Sequence, residues 1–255
     1  MPNGYHGKIL HVNLTLRTLT TEEPSEAFYR MYMGGSALNL HYLLTEMPPG
    51  VDPLGPENIL GLSVGVATGV PISGQSRMTA TAKSPLTGAI GDSQCGGFWP
   101  AELKFSGFDG IIFRGKASSP VYLWLHDGKA EIRDASHLWG KVTGDVEKAI
   151  RDELGDQKVE VMQIGPAGEK LVRFACLINM CNRANGHGGR HGEQEPQGYR
   201  CAGKPAARGR RKGGLGQVET VGIRGLSKIR RKRAGKVRDS RCSRCATKYG
   251  RAAHP

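Results

Sequence analysis

The feature that most constrains this chain is an abrupt change in composition near residue 190. Residues 1–189 carry 17 basic and 19 acidic side chains, a net charge of −2, whereas residues 190–255 carry 19 basic and 4 acidic side chains, a net charge of +15. The second part contains no Phe, Trp or Met. Such a segment cannot bury enough apolar surface to offset the entropy lost on ordering. We therefore predict one folded domain over 1–189, followed by a basic, disordered tail over 190–255.

The patterning of the first part predicts an α+β fold in which helices are inserted irregularly among mixed, multi-stranded sheets. Alternating or short apolar runs predict a hairpin and further strands over 8–14, 15–21, 59–67, 77–83, 110–113, 121–126, 130–133, 159–164 and 172–178. Helical spacing predicts helices over 24–33, 36–47, 100–106 and 143–154, the last ended by Gly155. This order differs from the regular alternation of βαβ units.

Composition also excludes several classes of protein. The sequence has no apolar run of about 18 residues, so we expect no membrane span. The first residues lack a basic segment followed by an apolar one, so we expect a cytoplasmic protein. Six scattered cysteines do not form the pattern of a secreted disulfide framework. Cys242 and Cys245 have metal-site spacing, but one such pair supplies only half of a site.

Two glycine-rich stretches are the candidate binding sites. The first is made of Ser-Gly-Gln-Ser-Arg over 73–77, Lys-Ser-Pro-Leu-Thr-Gly over 83–88 and Gly-Asp-Ser-Gln-Cys-Gly-Gly over 91–97. The second, Asn-Arg-Ala-Asn-Gly-His-Gly-Gly, covers 182–189. Glycine pairs let the backbone point N–H groups at an anion or carbonyls at a cation. An arginine nearby offers forked donors to a phosphate. Tight turns between strands would give the same pattern, so the spacing alone leaves both interpretations open.

Longer motifs occur in a fixed order along residues 5–189. The longest is KSPLTGAIGDSQCGGFWPAELKFSGFDGIIFRGK over 83–116. The others are GKILHVNL over 7–14, DPLGPEN over 52–58, IRDASHLWG over 132–140, IGPAGE over 164–169 and NRA over 182–184. Together they resemble the N-terminal domain of the tungsten-containing aldehyde ferredoxin oxidoreductases. An ordered series of this length is far more specific than a single glycine motif.

This resemblance implies an oxidoreductase that converts an aldehyde and water to a carboxylic acid and passes electrons to ferredoxin. Members of the family use tungsten, or sometimes molybdenum, held by two pterin (molybdopterin-type) dithiolenes beside a [4Fe–4S] cluster. Their N-terminal domain is the base on which the bis-pterin cofactor lies. The implied partners are ferredoxin and the aldehyde substrate, and a homodimer is compatible with the family. We expect no specific binding to nucleic acid and no binding to a membrane.

The resemblance also implies site residues. Arg77 matches the arginine that lies between pterin and cluster. Gln94 and Ala184 match positions whose backbone carbonyls hold a Mg²⁺ that bridges the pterin phosphates, and oxygen ligands suit this cation. The remaining matched cofactor-binding positions are Cys95, Gly96, Gly97, Arg183, Asn185 and Gly186. No catalytic residue is assigned, because the family's cluster cysteines and active-site acid and histidine belong to later domains that have no counterpart in this sequence.

The tail carries evidence of a second reading frame. The family continues after the second glycine stretch with MGSKNLKAIAVR, whereas this chain has HGEQEPQGYRCA over 191–202. When the degenerate codons of these residues are shifted by one base, they permit the family's sequence at every position. We therefore predict a frame change near 188–190 and a fragment that is inactive alone.

Two other functions remain open at this stage. The chain fits a cofactor-binding subunit of a split oxidoreductase, with the cluster domains on a separate polypeptide. Alternatively, the Lys/Arg-rich tail fits a polyanion-binding arm, for which affinity would fall steeply with added salt.

Overall fold

The computed structural model describes residues 4–72 and 74–179. The prediction of a disordered basic tail lies outside these residues, as do the candidate site residues Arg183, Ala184, Asn185 and Gly186. Within the described ranges, no helix is both long and apolar enough to cross a membrane.

A six-stranded mixed sheet forms the centre of the fold. Its strands, in chain order, are β1 (Ile9–Asn13), β2 (Thr18–Glu22), β3 (Leu60–Val64), β4 (Met78–Lys83), β5 (Ile90–Cys95) and β6 (Gly110–Arg114). In space the order is β2-β1-β6-β3-β4-β5. Strands β1 and β6 run parallel, and every other neighbouring pair in this sheet is antiparallel. The predicted α+β class with mixed sheets is therefore confirmed.

Two small antiparallel pairs and five α-helices complete the described fold. The pairs are β7 (Val121–His126) with β8 (Lys129–Asp134), and β9 (Met162–Ile164) with β10 (Leu177–Asn179). The helices are α1 (Glu26–Tyr32), α2 (Ser36–Glu46), α3 (Trp99–Phe105), α4 (Thr143–Leu154) and α5 (Pro166–Glu169), with a 3-10 turn at Ser136–Leu138. Gly155 ends α4 in the left-handed conformation, as predicted.

The main core lies on the face of the sheet that packs against α3 and the β7–β8 hairpin. Strand β3 is buried along its whole length, and β6 is buried at four of its five residues. Trp99 and Leu103 of α3 and Phe113 of β6 are almost fully buried in this core. These continuous apolar strands explain why the sequence pattern located the centre of the sheet correctly.

A buried ion pair fastens the first described residues to the sheet. The Lys104 Nζ donates to Asp109 Oδ1 at 2.6 Å, and both side chains are buried. The Asp109 carboxylate also accepts from the backbone N–H groups of His6 at 3.1 Å and Gly7 at 2.7 Å. Burial lowers the pKa of Lys104, and the Asp109 carboxylate opposes that shift. The charges are thus compensated by each other and by two N–H donors.

Helix α2 lies close to the sheet because small residues face it. Asn39 is fully buried and donates through Nδ2 to the Thr79 carbonyl at 3.2 Å and to Thr81 Oγ1 at 3.0 Å. A Cβ at Gly61 would lie only 2.7 Å from the Asn39 amide. The contact between helix and strand therefore requires glycine at position 61.

Several segments differ from the sequence prediction, among them the expected strand over 159–164, which is reduced to β9. Strand β5 was not predicted as a strand at all, because its alternation is weak and half of its residues are exposed. The expected strand over 172–178 is reduced to β10, since residues 172–175 form turns, and Val172 and Ala175 each donate a turn-type backbone hydrogen bond. The short α5 was also missed, because its four residues are too few to show a period.

Candidate functional site

The β4–β5 hairpin carries the first group of candidate residues at the edge of the sheet. Met78 is paired with Cys95 and Thr79 with Gln94, so Arg77 directly precedes the paired region and Gly96 directly follows it. Within the described residues, β5 pairs only with β4. Arg77 and Gln94 are both exposed. The pairing thus brings Arg77 to the glycine turn, although it lies 19 residues before Gly96 in sequence.

Side-chain hydrogen bonds shape the loop that leads to Arg77. Thr68 Oγ1 accepts from the Gly65 N–H at 3.2 Å and donates to the Arg77 carbonyl at 3.0 Å. Gln75 accepts from the Gly69 N–H at 2.8 Å and donates to the Val70 carbonyl at 2.6 Å. The backbone of Arg77 is therefore fixed, while its guanidinium group remains accessible to an anion.

The glycine turn after β5 is held by two side chains to which the sequence analysis gave no role. Ser76 Oγ donates to the Gly97 carbonyl at 2.6 Å. Asn179, at the end of β10, donates through Nδ2 to the Gly96 carbonyl at 3.2 Å and to Cys95 Sγ at 3.4 Å. Gly97 has a φ of +98°, which favours glycine at this position. The turn is thus a fixed structure rather than a loose connection.

Cys95 is half-buried and its thiol packs against the main core. Burial raises the pKa of the Cys95 thiol to about 11, and the Arg77 charge and the Asn179 hydrogen bond only partly oppose this shift. The thiol is therefore protonated near neutral pH. A protonated thiol is a poor metal ligand.

The donor set at this edge suits a phosphorylated cofactor with a hard cation. An exposed arginine supplies a phosphate donor, and an edge strand followed by glycines supplies backbone groups without ladder partners on one side. The same residues do not supply the four cysteine ligands of a [4Fe–4S] cluster. Cys95 and Cys176 are the only free cysteines in the described ranges. Nor do those ranges hold three or more His, Cys, Asp or Glu side chains grouped as metal ligands.

The second glycine stretch begins just beyond the described residues. Asn182 follows Asn179 by three residues in sequence, and Asn179 contacts the first glycine turn directly. The last described residue therefore lies against the first glycine turn. A motif search could not have found this contact, because Asn179 lies outside both glycine-rich patterns and 83 residues from Gly96.

Comparison with known proteins agrees with the motif series. The family model "Aldehyde ferredoxin oxidoreductase, N-terminal domain" matches residues 9–192. The tungsten-containing aldehyde ferredoxin oxidoreductase of Pyrococcus abyssi is 48% identical over 186 residues, which cover 73% of this chain and 31% of that protein. The protein of the same description from Pyrococcus horikoshii is 45% identical with the same coverage. This chain therefore spans about a third of the length of these curated relatives.

A solved structure shares the fold. The active site complex BamBC of benzoyl coenzyme A reductase, in complex with 1,5-dienoyl-CoA, superimposes with a TM-score of 0.71 and 33% sequence identity. The match covers 81% of this chain and 32% of that one.

Proposed function

Because this chain belongs to the aldehyde ferredoxin oxidoreductase family, we propose that its folded part is the base on which a bis-pterin tungsten cofactor binds. The family is one of tungsten-containing oxidoreductases. The reaction proposed for the complete enzyme joins an aldehyde with water to give a carboxylic acid, two electrons and two protons. The electrons pass to ferredoxin through a [4Fe–4S] cluster.

The first glycine turn supports this proposal most directly. Arg77 is exposed beside it and is proposed to bind between the pterin and the cluster, as its match in the family implies. The backbone carbonyls of Gln94 and Ala184 would hold a Mg²⁺, which would neutralise charge on the pterin phosphates. When bound, the metal–pterin group supplies the two-electron redox chemistry.

The glycines complete the proposed binding surface. Gly96 and Gly97 are proposed to let the backbone approach the pterin closely, and a Cβ at Gly96 would make only an ordinary contact, 3.5 Å from the Ser76 carbonyl. The protein does not need glycine at position 96 for internal packing, which is compatible with a need imposed by a ligand. Cys95, Arg183, Asn185 and Gly186 remain predicted contacts.

We expect the chain alone to lack aldehyde oxidation activity. Its sequence offers no counterpart of the cluster cysteines, and the shifted codons over 191–202 indicate that translation leaves the family's frame near 188–190. Sequencing the DNA from the codon of Asn179 past that of Pro255 tests the frame. If a base proves to be missing or extra near Gly189, correcting it would restore the family's strand. If the DNA confirms the present frame, the chain is a natural variant.

Equilibrium binding of a fluorescent phosphorylated pterin, with Mg²⁺ present, tests the proposed role of the turn. We expect Arg77→Ala to weaken binding about 10-fold or more, since a hydrogen bond to a charged group contributes about 1.5–3 kcal/mol. Arg17→Ala is the matched control, because Arg17 lies in the β1–β2 turn and donates to Ser119 at 2.5 Å. Equal affinity in the wild-type and Arg77→Ala chains would contradict the proposal.

A further inference from the structure

Two consecutive carbonyl groups in the first glycine turn are held by side chains of distant segments. The Gly96 carbonyl accepts from Asn179 Nδ2 at 3.2 Å, and the Gly97 carbonyl accepts from Ser76 Oγ at 2.6 Å. Neither donor belongs to the turn itself. Asn179 comes from β10 and Ser76 from the loop before β4, so three segments meet at this point.

Holding a carbonyl also fixes the N–H group of the same peptide. The peptide unit is planar and trans, so its carbonyl and its N–H point in opposite directions. The Asn179 hydrogen bond therefore sets the direction of the Gly97 N–H, and the Ser76 hydrogen bond sets that of the Phe98 N–H. Neither of these N–H groups makes a hydrogen bond with another residue of 4–72 or 74–179. Glycine at 97, with φ +98°, would otherwise leave both directions free to vary.

Asn179 has a second effect because of its place in the chain. It is the last residue of β10, and its amide also donates to Cys95 Sγ at 3.4 Å. The same side chain thus joins the end of β10 to the end of β5 and to the turn after it. A single asparagine amide supplies both donors.

We propose that Asn179 and Ser76 are positioning residues, which orient the backbone of the Gly96–Gly97 turn for a phosphorylated pterin. This inference rests on the proposed function of the turn. Neither side chain is required to touch the cofactor. Their effect on binding acts through the carbonyls they hold, and preorganised donors bind an anion more tightly than mobile ones because less ordering entropy is lost.

The test compares isosteric and conservative variants of the full chain. Asn179→Asp keeps the shape but removes both donated hydrogen bonds, and Ser76→Ala removes the other. We expect each to weaken binding of the fluorescent phosphorylated pterin, with Mg²⁺ present, by about 5- to 10-fold. Ser76→Thr keeps the hydroxyl and is expected to restore affinity.

Asn58→Asp is the matched structural control. Asn58 also donates through Nδ2 to two backbone carbonyls, those of Pro53 at 2.8 Å and Lys83 at 3.0 Å, but at the opposite end of β4. It is expected to lower the midpoint of thermal unfolding at least as much as Asn179→Asp does, because Asn58 is buried and Asn179 is half-buried, while leaving pterin affinity unchanged. A purely structural role for Asn179 would leave pterin affinity unchanged in both variants.

Alkylation of the thiols provides a readout that needs no cofactor. The Asn179 amide donates to Cys95 Sγ and favours the thiolate, which is the reactive form. Loss of this hydrogen bond should therefore lower the rate at which Cys95, but not Cys176, reacts with iodoacetamide, as measured on separate peptides by mass spectrometry. If the wild-type chain binds the pterin and both Asn179→Asp and Ser76→Ala bind it equally well, the positioning role alone is overturned. A wild-type chain that does not bind the pterin would overturn the proposed function and this inference together.

Discussion

The two hydrogen-bonded neighbours β6 and β3, in the middle of the sheet, differ sharply from β5 at its edge. The middle strands are buried almost throughout, and their residues are fixed by packing on both faces. Strand β5 alternates exposed residues with buried or half-buried ones and is paired on one side only within the described residues. The middle of the sheet therefore determines stability, whereas the edge strand and its glycine turn are free to serve a ligand. Substitutions should separate these two properties.

The largest difference is expected between a central and an edge apolar side chain. Phe113 of β6 is 2% exposed, whereas Ile90 of β5 is 40% exposed. Phe113→Ala should lower the free energy of unfolding by about 3–5 kcal/mol, because it removes a large buried side chain and leaves a cavity. Ile90→Ala should lower it by less than about 1 kcal/mol. Urea unfolding curves of both variants measure the difference; equal losses would contradict the contrast.

Removing one partner of the buried ion pair should cost nearly as much. Asp109→Ala leaves the Lys104 ammonium buried without its carboxylate and removes the acceptor of two backbone N–H groups. We expect a loss of about 3–5 kcal/mol in the free energy of unfolding. Glu26→Ala breaks the exposed pair with Arg30, and its unfolding curve should match that of the wild type. An Asp109→Ala chain as stable as Glu26→Ala would refute the role given to this pair.

Two glycine substitutions should separate stability from binding. Gly61→Ala places a Cβ 2.7 Å from the buried Asn39 amide, so overpacking should lower the free energy of unfolding by about 1–3 kcal/mol. Gly96→Ala meets only an ordinary contact and should leave stability close to that of the wild type. Binding of the phosphorylated pterin should instead weaken in Gly96→Ala. Thermal unfolding and pterin titration of both variants test this separation of stability from binding. A Gly96→Ala chain that is less stable than Gly61→Ala would contradict it.

The smallest perturbation is a change of pH at the edge of the sheet. Because burial raises the pKa of Cys95 to about 11, the thiolate, which is the reactive form, is scarce near pH 8. The rate of Cys95 alkylation should therefore rise continuously from pH 8 to pH 11. A plateau reached below pH 9.5 in the folded chain would indicate an unshifted thiol. The rate at which Cys176 reacts, measured in the same sample, serves as the internal control.

The sequence predicted the parts of the fold that packing determines. Apolar periodicity predicted the β1–β2 hairpin, β3, β4, β6, β7 and α4. The end of α4 was predicted from Gly155, because glycine readily adopts the left-handed conformation. Strand β5 could not be predicted, because Ile-Gly-Asp-Ser-Gln-Cys has little strand propensity and owes its conformation to pairing with β4.

The candidate site shows the same limit. Arg77 and the 94–97 turn were identified by their resemblance to a family, but the roles of the residues that hold the turn were not. Ser76 and Asn179 act through single hydrogen bonds to backbone carbonyls, and such contacts leave no periodic or compositional signal. Only the three-dimensional pairing of β4, β5 and β10 brings them to Gly96 and Gly97.

The most direct test of the central claim is to locate the cation site by NMR, with Mn²⁺ replacing Mg²⁺ in the presence of the phosphorylated pterin. Both cations accept oxygen ligands, and a paramagnetic ion broadens the amide signals of nearby residues. We predict broadening that is strongest for residues 94–98 and for Arg77, while β7 and β8 keep sharp signals. Broadening that is centred elsewhere, or that does not depend on the pterin, would contradict the assignment of this turn as the cofactor base.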